Sequence, residues 1–213
     1  MDTTAALQIM VSQPLVAAWL AGFILGDPGA GLAAGIVLQA LWSREFALGG
    51  AAFPQAGPGG VVGGALAALA PGPAVSLGAL HVPPAPGLAA ALVTAILVGE
   101  AGRRILVRLR SRRSRWIADA RSAAEAGHEA AIRRASLRGI PETALLGLGL
   151  VLGGTAIGLG LLGAARTLPP AQGSWVLFAA LGTGVGLSLR KEERGRWIWL
   201  GGALAAALVR RVT

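Results

Sequence analysis

Apolar residues in this chain come in blocks, separated by stretches rich in glycine, proline and arginine. Six blocks stand out: Pro14–Leu25, Ala30–Trp42, Phe46–Leu80, Gly87–Val98, Thr143–Ala165, and a closing pair, Trp175–Leu189 with Trp197–Val209, that reads as a helical hairpin. Thr143–Ala165 contains no charge. At about 1.5 Å of rise per residue it is long enough to cross a hydrocarbon core of about 30 Å. Pro14–Leu25 and Ala30–Trp42 are not, since each would rise only about 18 to 20 Å as a helix. Between them stands Gly26-Asp27-Pro28-Gly29. Two half-length apolar helices around such a break match a re-entrant hairpin or a broken helix. Backbone of that kind survives at membrane depth only when it is buried in protein or lines a watery cavity. On this reading Gly26–Gly31 is enclosed by protein, Asp27 caps the second half-helix, and Pro28 and Gly29 end the first. The other reading is a plain turn in water between two tilted helices.

Seven of the twelve prolines fall between Phe46 and Gly87, in phrases such as "FPQAGPGG" and "HVPPAPG" that cannot continue a helix. The pattern predicts an irregular or re-entrant segment around Pro54, a helix from about Gly60 to Leu69, and a Pro-rich loop at Pro83–Pro86. Arg103–Arg138 differs in kind. It holds 11 arginines against Asp119, Glu125 and Glu129, with Ile105, Leu109, Trp116, Ile117 and Ile132 spaced along it. This predicts an amphipathic helix on the membrane surface, its arginines near anionic lipid headgroups. The chain therefore divides into 1–102, an N-terminal membrane region with broken or re-entrant helices, 103–140, a basic helical segment, and 141–213, C-terminal membrane helices.

Composition agrees with a membrane protein: 54% of the 213 residues are hydrophobic and 14% are charged. A net charge of +9 raises the question of nucleic acid, but the positions of the charges answer it. Of 19 Lys and Arg, 11 lie in 103–138, four in 190–196 and two at Arg210 and Arg211, leaving Arg44 and Arg166 for the rest. Basic residues confined to loops between apolar blocks follow the positive-inside rule and place 103–138 and "RKEERGR" in the cytoplasm, with no nucleic-acid partner. The absence of cysteine excludes thiolate chemistry and Cys metal sites, and His81 and His128 stand too far apart in sequence to suggest a metal cluster. "MDTTAALQIM" has no basic region ahead of its apolar residues and is not expected to be a cleaved signal peptide. "GLVLG" and "GTAIG" at 149–158 are small-residue spacings that let helices approach closely. "GLGLLG" at 158–163 formally matches a dinucleotide fingerprint, but it lies inside a span with no strand before it. No nucleophile, phosphate loop or paired carboxylates are apparent, so neither an enzyme nor a cofactor is expected.

The stretch "QPLVAAWLAGFILGDPGAGLAAGIVLQALWSREFALGGAAFPQAG", Gln13 to Gly57, resembles the IIC membrane subunit of the mannose/fructose/sorbose family of the bacterial sugar phosphotransferase system. The likeness continues more loosely through the basic segment and "RGIPETALLGLG". It implies an all-α polytopic protein of the bacterial cytoplasmic (inner) membrane, built from broken helices and re-entrant hairpins that move in an elevator-like way. It implies a hexose-like sugar substrate, a IID membrane subunit as partner, and cytoplasmic IIA and IIB components that carry the phosphoryl group. Membrane lipids and further copies of the chain complete the expected partners. Typical members have a glutamate where this chain has Gln39, an asparagine where it has Ala47, an aspartate where it has Gln55 and an arginine where it has Gln13. Gln39 and Gln55 still donate and accept hydrogen bonds, without charge assistance.

The expected substrate-binding residues are thus Gln39, Gln55, Gln13 and Glu45, with Gly26, Asp27, Pro28 and Gly29 forming the hairpin break. Gln39 is either a helix–helix clamp or a ligand contact. Asp27 suits a turn or N-cap better than a ligand. Arg44 and Glu45 are placed where the second half-helix meets water or the IID partner. Glu100 is expected to pair with Arg103 or Arg104, and His81 and His128 to be solvated. Two other functions fit the same sequence. One is a degenerate, non-transporting IIC-like paralogue with a scaffold or regulatory role, suggested by the four substitutions together. The other is an unrelated small-solute transporter.

Overall fold

The computed structural model describes residues 12–43, 54–126 and 130–167. Within them lie α1 (Pro14–Ile24), α2 (Pro28–Trp42), α3 (Ala56–Ala68), β1 (Val75–Leu77), β2 (Leu80–Val82), α4 (Ala85–Glu125) and α5 (Ala130–Ala165). Glu45, Arg44, Ala47, His128 and the blocks Trp175–Leu189 and Trp197–Val209 fall outside the described residues.

The Gly-Asp-Pro-Gly sequence ends one helix and starts the next within four residues. Gly26 takes φ 89°, a left-handed conformation that costs glycine nothing, and α1 stops there. Asp27 then accepts a hydrogen bond from the Ala30 N–H at 2.9 Å, and Pro28 occupies the first helical position of α2. The result is an antiparallel helical hairpin of two half-length helices.

α3 runs parallel to α1, with Gly60 against Pro14 and Gly64 against Ala18. Ala18 is fully buried, and its carbonyl is approached by Gly31 from α2 and by Gly64 from α3. A methyl group at either glycine would overlap that carbonyl, so close packing of the three short helices depends on both. α4 packs antiparallel to α3, where Gly59 lies against the Ala95 carbonyl and Gly63 against the Ala95 side chain. Leu38, Val62, Leu66 and Leu92 fill the space between these helices. Thr94 is the buried polar side chain of the described core, and its hydroxyl donates to the Ala90 carbonyl at 2.7 Å. α5 closes the bundle against α3 and α4, with Gly154 on Val98 and Val62, and Gly158 on Leu66. Two helices, α4 and the Gly139–Ala165 part of α5, are long and apolar enough to cross a membrane.

Several expectations are corrected. The third helix starts at Ala56 rather than near Gly60, because Pro58 falls in its first turn, where a missing N–H does no harm. The Pro83–Pro86 loop is instead the start of α4, with Pro84 as N-cap and Pro86 in the first turn, for the same reason. The all-α expectation omitted an antiparallel hairpin, β1–β2, pairing Val75 with Val82 and Leu77 with Leu80 around Gly78 (φ 63°). Its strands are short and largely exposed, so they leave no alternating core pattern to read.

The basic segment is also not a separate surface helix. α4 runs unbroken for 41 residues, from the apolar Ala85 end through Gly102 and Arg103 to Glu125, where the charge pattern alone suggested a change of unit. After Gly102 it meets neither proline nor glycine before its end, and Arg, Leu and Ala are good helix formers. The start of α5 packs beside it. The Arg113 guanidinium donates to Thr143 Oγ1 at 2.8 Å, the Gly139 carbonyl at 3.1 Å and Glu142 Oε2 at 3.2 Å, tying the two long helices together around Pro141.

Candidate functional site

The three short helices finish together at one end of the bundle. There α1 begins, α2 ends and α3 begins: Gly57 lies beside Ser12, and the Trp42 ring packs over Gly59 of α3 and Gly99 of α4. Gln55, the N-cap residue of α3, donates its backbone N–H to the Gly99 carbonyl at 2.9 Å. Its side chain lies against Gly102, where a methyl group would come within 2.6 Å of Gln55 Cγ. Gly99 and Gly102 are thus the positions at which α4 lets Trp42, Pro54 and Gln55 approach its backbone.

The height of this end follows from α5. Leu150 of α5 touches the α4 face at Gly102, and Gly154 meets Val98. Leu150 is about 10 Å inside the charge-free stretch that starts at Thr143, at about 1.5 Å per residue. The ends of three half-length helices therefore sit level with the apolar interior of α5 and not with its border. Two of those ends are helix N-termini, which carry unsatisfied N–H groups and partial positive charge. Half-helices that stop at such a depth, with their polar ends turned to one region, suit the binding of a polar solute inside a membrane protein.

The expected site residues distribute as follows. Gln39 is half-buried, and its Oε1 accepts from the Leu15 N–H, an orphan donor in the first turn of α1, at a long 3.5 Å. Gln13 is the N-cap residue of α1, exposed and without a side-chain capping bond. Gln55 is half-buried and also makes no side-chain capping bond. All three glutamines stand at this end, but on different neighbours: Gln39 on α1 and Gln55 on α4. Glu45 follows α2 by three residues and lies outside the described residues.

A charged cluster stands at the same height on another face of α4. Glu100 Oε2 accepts from Arg103 Nε at 2.8 Å, and Oε1 accepts from Arg103 Nη2 at 2.5 Å and Arg104 Nε at 3.2 Å. The Glu100 side chain is only 15% exposed. The pairing itself is legible from the spacing; the depth is not.

The hairpin break is at the opposite end, level with the start of α4. The expected enclosure of Gly26–Gly31 holds only for its second half: Leu25, Gly26 and Pro28 are exposed, Asp27 is partly covered, and Gly29, Ala30 and Gly31 are buried. What covers this side is the β-hairpin: Gly29 lies under Ala79 and His81, and His81 Nδ1 is 3.2 Å from Asp27 Oδ1. A cleft of about 290 Å³ opens nearby, between Pro71–Pro73, Pro84–Gly87 and Ala165–Arg166. Apart from Arg166, its walls offer few polar side chains for recognising a hydroxylated solute. Among the described residues no three His, Asp or Glu side chains gather as a metal site.

Comparison with known proteins gives one family. The model of the family described as the phosphotransferase (PTS) system sorbose-specific IIC component matches residues 1–179. No curated protein and no solved structure matches the chain.

Proposed function

The chain belongs to the family of PTS sorbose-specific IIC components, and from that premise we propose that it carries a hexose-like sugar across the bacterial cytoplasmic membrane. As a IIC component it is a membrane transport subunit and not an enzyme on its own, phosphoryl transfer being the work of IIA and IIB. The observation that carries the reading is the set of three short-helix ends, with Gln13, Gln39 and Gln55, level with the apolar interior of α5. A sugar leaving water needs hydrogen-bond partners for each hydroxyl, and amides and helix N-termini supply both donors and acceptors. Glu45, three residues after α2 in the sequence, is proposed as a further sugar contact.

On this reading the chain crosses the membrane several times, with the basic ends of α4 and α5 in the cytoplasm by the positive-inside rule. The segments 1–102, 103–140 and 141–213 then serve as site-bearing region, cytoplasmic projection and closing membrane helices. A IID subunit and further copies of the chain cover the outward apolar faces, and the short-helix unit shifts as a body against α4 and α5 in an elevator-like movement.

A non-transporting paralogue remains the second reading, favoured by one observation. Gln39 Oε1 reaches the α1 backbone and the aliphatic part of Gln55 packs on Gly102, so both side chains have a use in packing. The two readings separate in cells that lack their own sugar phosphotransferase membrane subunits. Co-expression of the chain with IIA, IIB and IID partners should produce accumulation of labelled L-sorbose, D-mannose or D-fructose as the phosphate ester. Absence of uptake of all three sugars, with the chain present in the membrane, would overturn transport and leave the scaffold.

A further inference from the structure

The two sides of α5 are unlike. Towards the bundle, Gly154 and Gly158 lie against Val98 and Leu66, and Leu150 and Leu162 are buried. On the opposite side stand Gly153, Ala156, Gly160 and Gly163, all exposed, at the i, i+3, i+7, i+10 spacing of a single helical face. Among the described residues, a Cβ added at Gly153, Gly160 or Gly163 would meet nothing within 4 Å. Leu152, Ile157 and Leu159 border this stripe and are exposed by 62%, 63% and 48%. The apolar stretch of α4 is mostly buried within the described bundle, and that of α5 is mostly bare.

A face turned to lipid gains nothing from glycine. Each one weakens a helix interior relative to alanine, and leucine would suit hydrocarbon as well. Small residues between apolar ridges are instead what lets a second helix come close. They do not by themselves say which helix; the course of the chain does. α5 ends at Ala165, and Leu168–Ser174, where Pro169 and Pro170 cannot continue it, leads to the charge-free block Trp175–Leu189. The seven residues of that connection reach at most about 25 Å when fully extended, so the block begins near this end of α5. Connections of this length join antiparallel helical neighbours. A tether so short gives the block an effective concentration of the order of millimolar at the α5 face, which favours it over any separate subunit.

We propose that Trp175–Leu189 packs antiparallel on the outer side of α5, with Ala179, Gly182 and Gly186 set against Gly160, Ala156 and Gly153. Those three small residues have the matching i, i+3, i+7 spacing. At about 1.5 Å per residue the block runs from the level of Ala164 to that of Leu150 and stops short of Gly149. Arg190 and Lys191 then follow on the side of the membrane where Arg113 lies, in agreement with the positive-inside rule. Of the outward apolar faces, this one is covered by the chain itself, and a IID subunit or a second copy must use another. The assignment does not depend on transport.

The test uses the purified full chain without other subunits. The chain contains no cysteine, so introduced pairs report alone. G160C/A179C and G153C/G186C, each with a protease site inserted in 168–174, should form a disulfide under mild oxidation in about half of the molecules or more. After cleavage the two fragments should stay together at the mass of one chain until reduced. V151C/G186C, with its first cysteine turned to the α4 side, should give about a tenth of that yield or less. Fragments joined only as dimers would assign the face to a second copy, and no joining at either pair would leave it to lipid or a partner subunit. Both results overturn the proposal. A second measurement does not depend on the register. G153L/G160L should lower the thermal midpoint by about ten degrees or more, because the added side chains collide with the block. An unchanged or raised midpoint, as a lipid-facing helix would give, would overturn the proposal as well.

Discussion

The two ends of the α1–α2 hairpin are both polar, but their polarity is used differently. At the break, Asp27 caps α2, Pro28 suits the first helical position, Gly26 turns the chain, and His81 of the β-hairpin completes the group. Asp27 and His81 there have a local structural use, and Leu25, Gly26 and Pro28 are open to the outside. At the other end, Gln13 and Gln55 make no side-chain capping bonds, Gln39 makes one long one, and a carboxylate is held at the depth of an apolar helix. Polar groups that do little for the fold, placed where desolvation is costly, are the better guide to function. The most conspicuous motif in the sequence is thus a well-made turn, and the quieter glutamines mark the candidate site.

The largest effect should come from the contact that binds the two ends into one body. G64A introduces a methyl group into the Ala18 carbonyl, and neither backbone has room to move. It should destabilise the protein by about 3 kcal/mol, the upper part of the range for overpacking, seen as a large fall in thermal midpoint in detergent. G149A, where nothing lies within 4 Å, should be unchanged or stabilised by up to about 1 kcal/mol through helix propensity. Similar midpoints for the two variants would break the account of how the short helices are held.

A smaller effect is expected from D27A, which removes the cap on α2 and the partner of His81. Loss of an N-cap costs about 1 kcal/mol. The thermal midpoint should fall by a few degrees with the sugar KM unchanged. A raised KM in D27A would erase the distinction between the two ends. The smallest effect belongs to H81A. Its side chain is half-exposed, and a polar contact of that kind contributes about 0.5 kcal/mol or less. A thermal shift as large as that of D27A would show that the β-hairpin, and not the cap, holds the break closed.

Much of the fold is legible in the residues themselves. Half-length apolar runs around Gly-Asp-Pro-Gly specify two short helices and their caps, because proline, glycine and aspartate act through their own backbone geometry and need no distant partner. The length of Thr143–Ala165, and the placing of arginine outside it, specify a membrane helix by elementary solvation. The family is legible in the order of the N-terminal motifs, and the match over residues 1–179 bears this out. Other features depended on which surfaces meet. Nothing local says that α3 lies parallel to α1 with Gly64 on Ala18. Nor does Glu100 reveal its depth, since a carboxylate followed by arginines reads as a border wherever it stands. Only the register of α5 against α4, set by Leu150 on Gly102 and Gly154 on Val98, puts that carboxylate level with the charge-free stretch of α5. Local chemistry determines where helices start and stop; the depth and company of a side chain are properties of packing between segments far apart in the chain, and tertiary structure alone decides them.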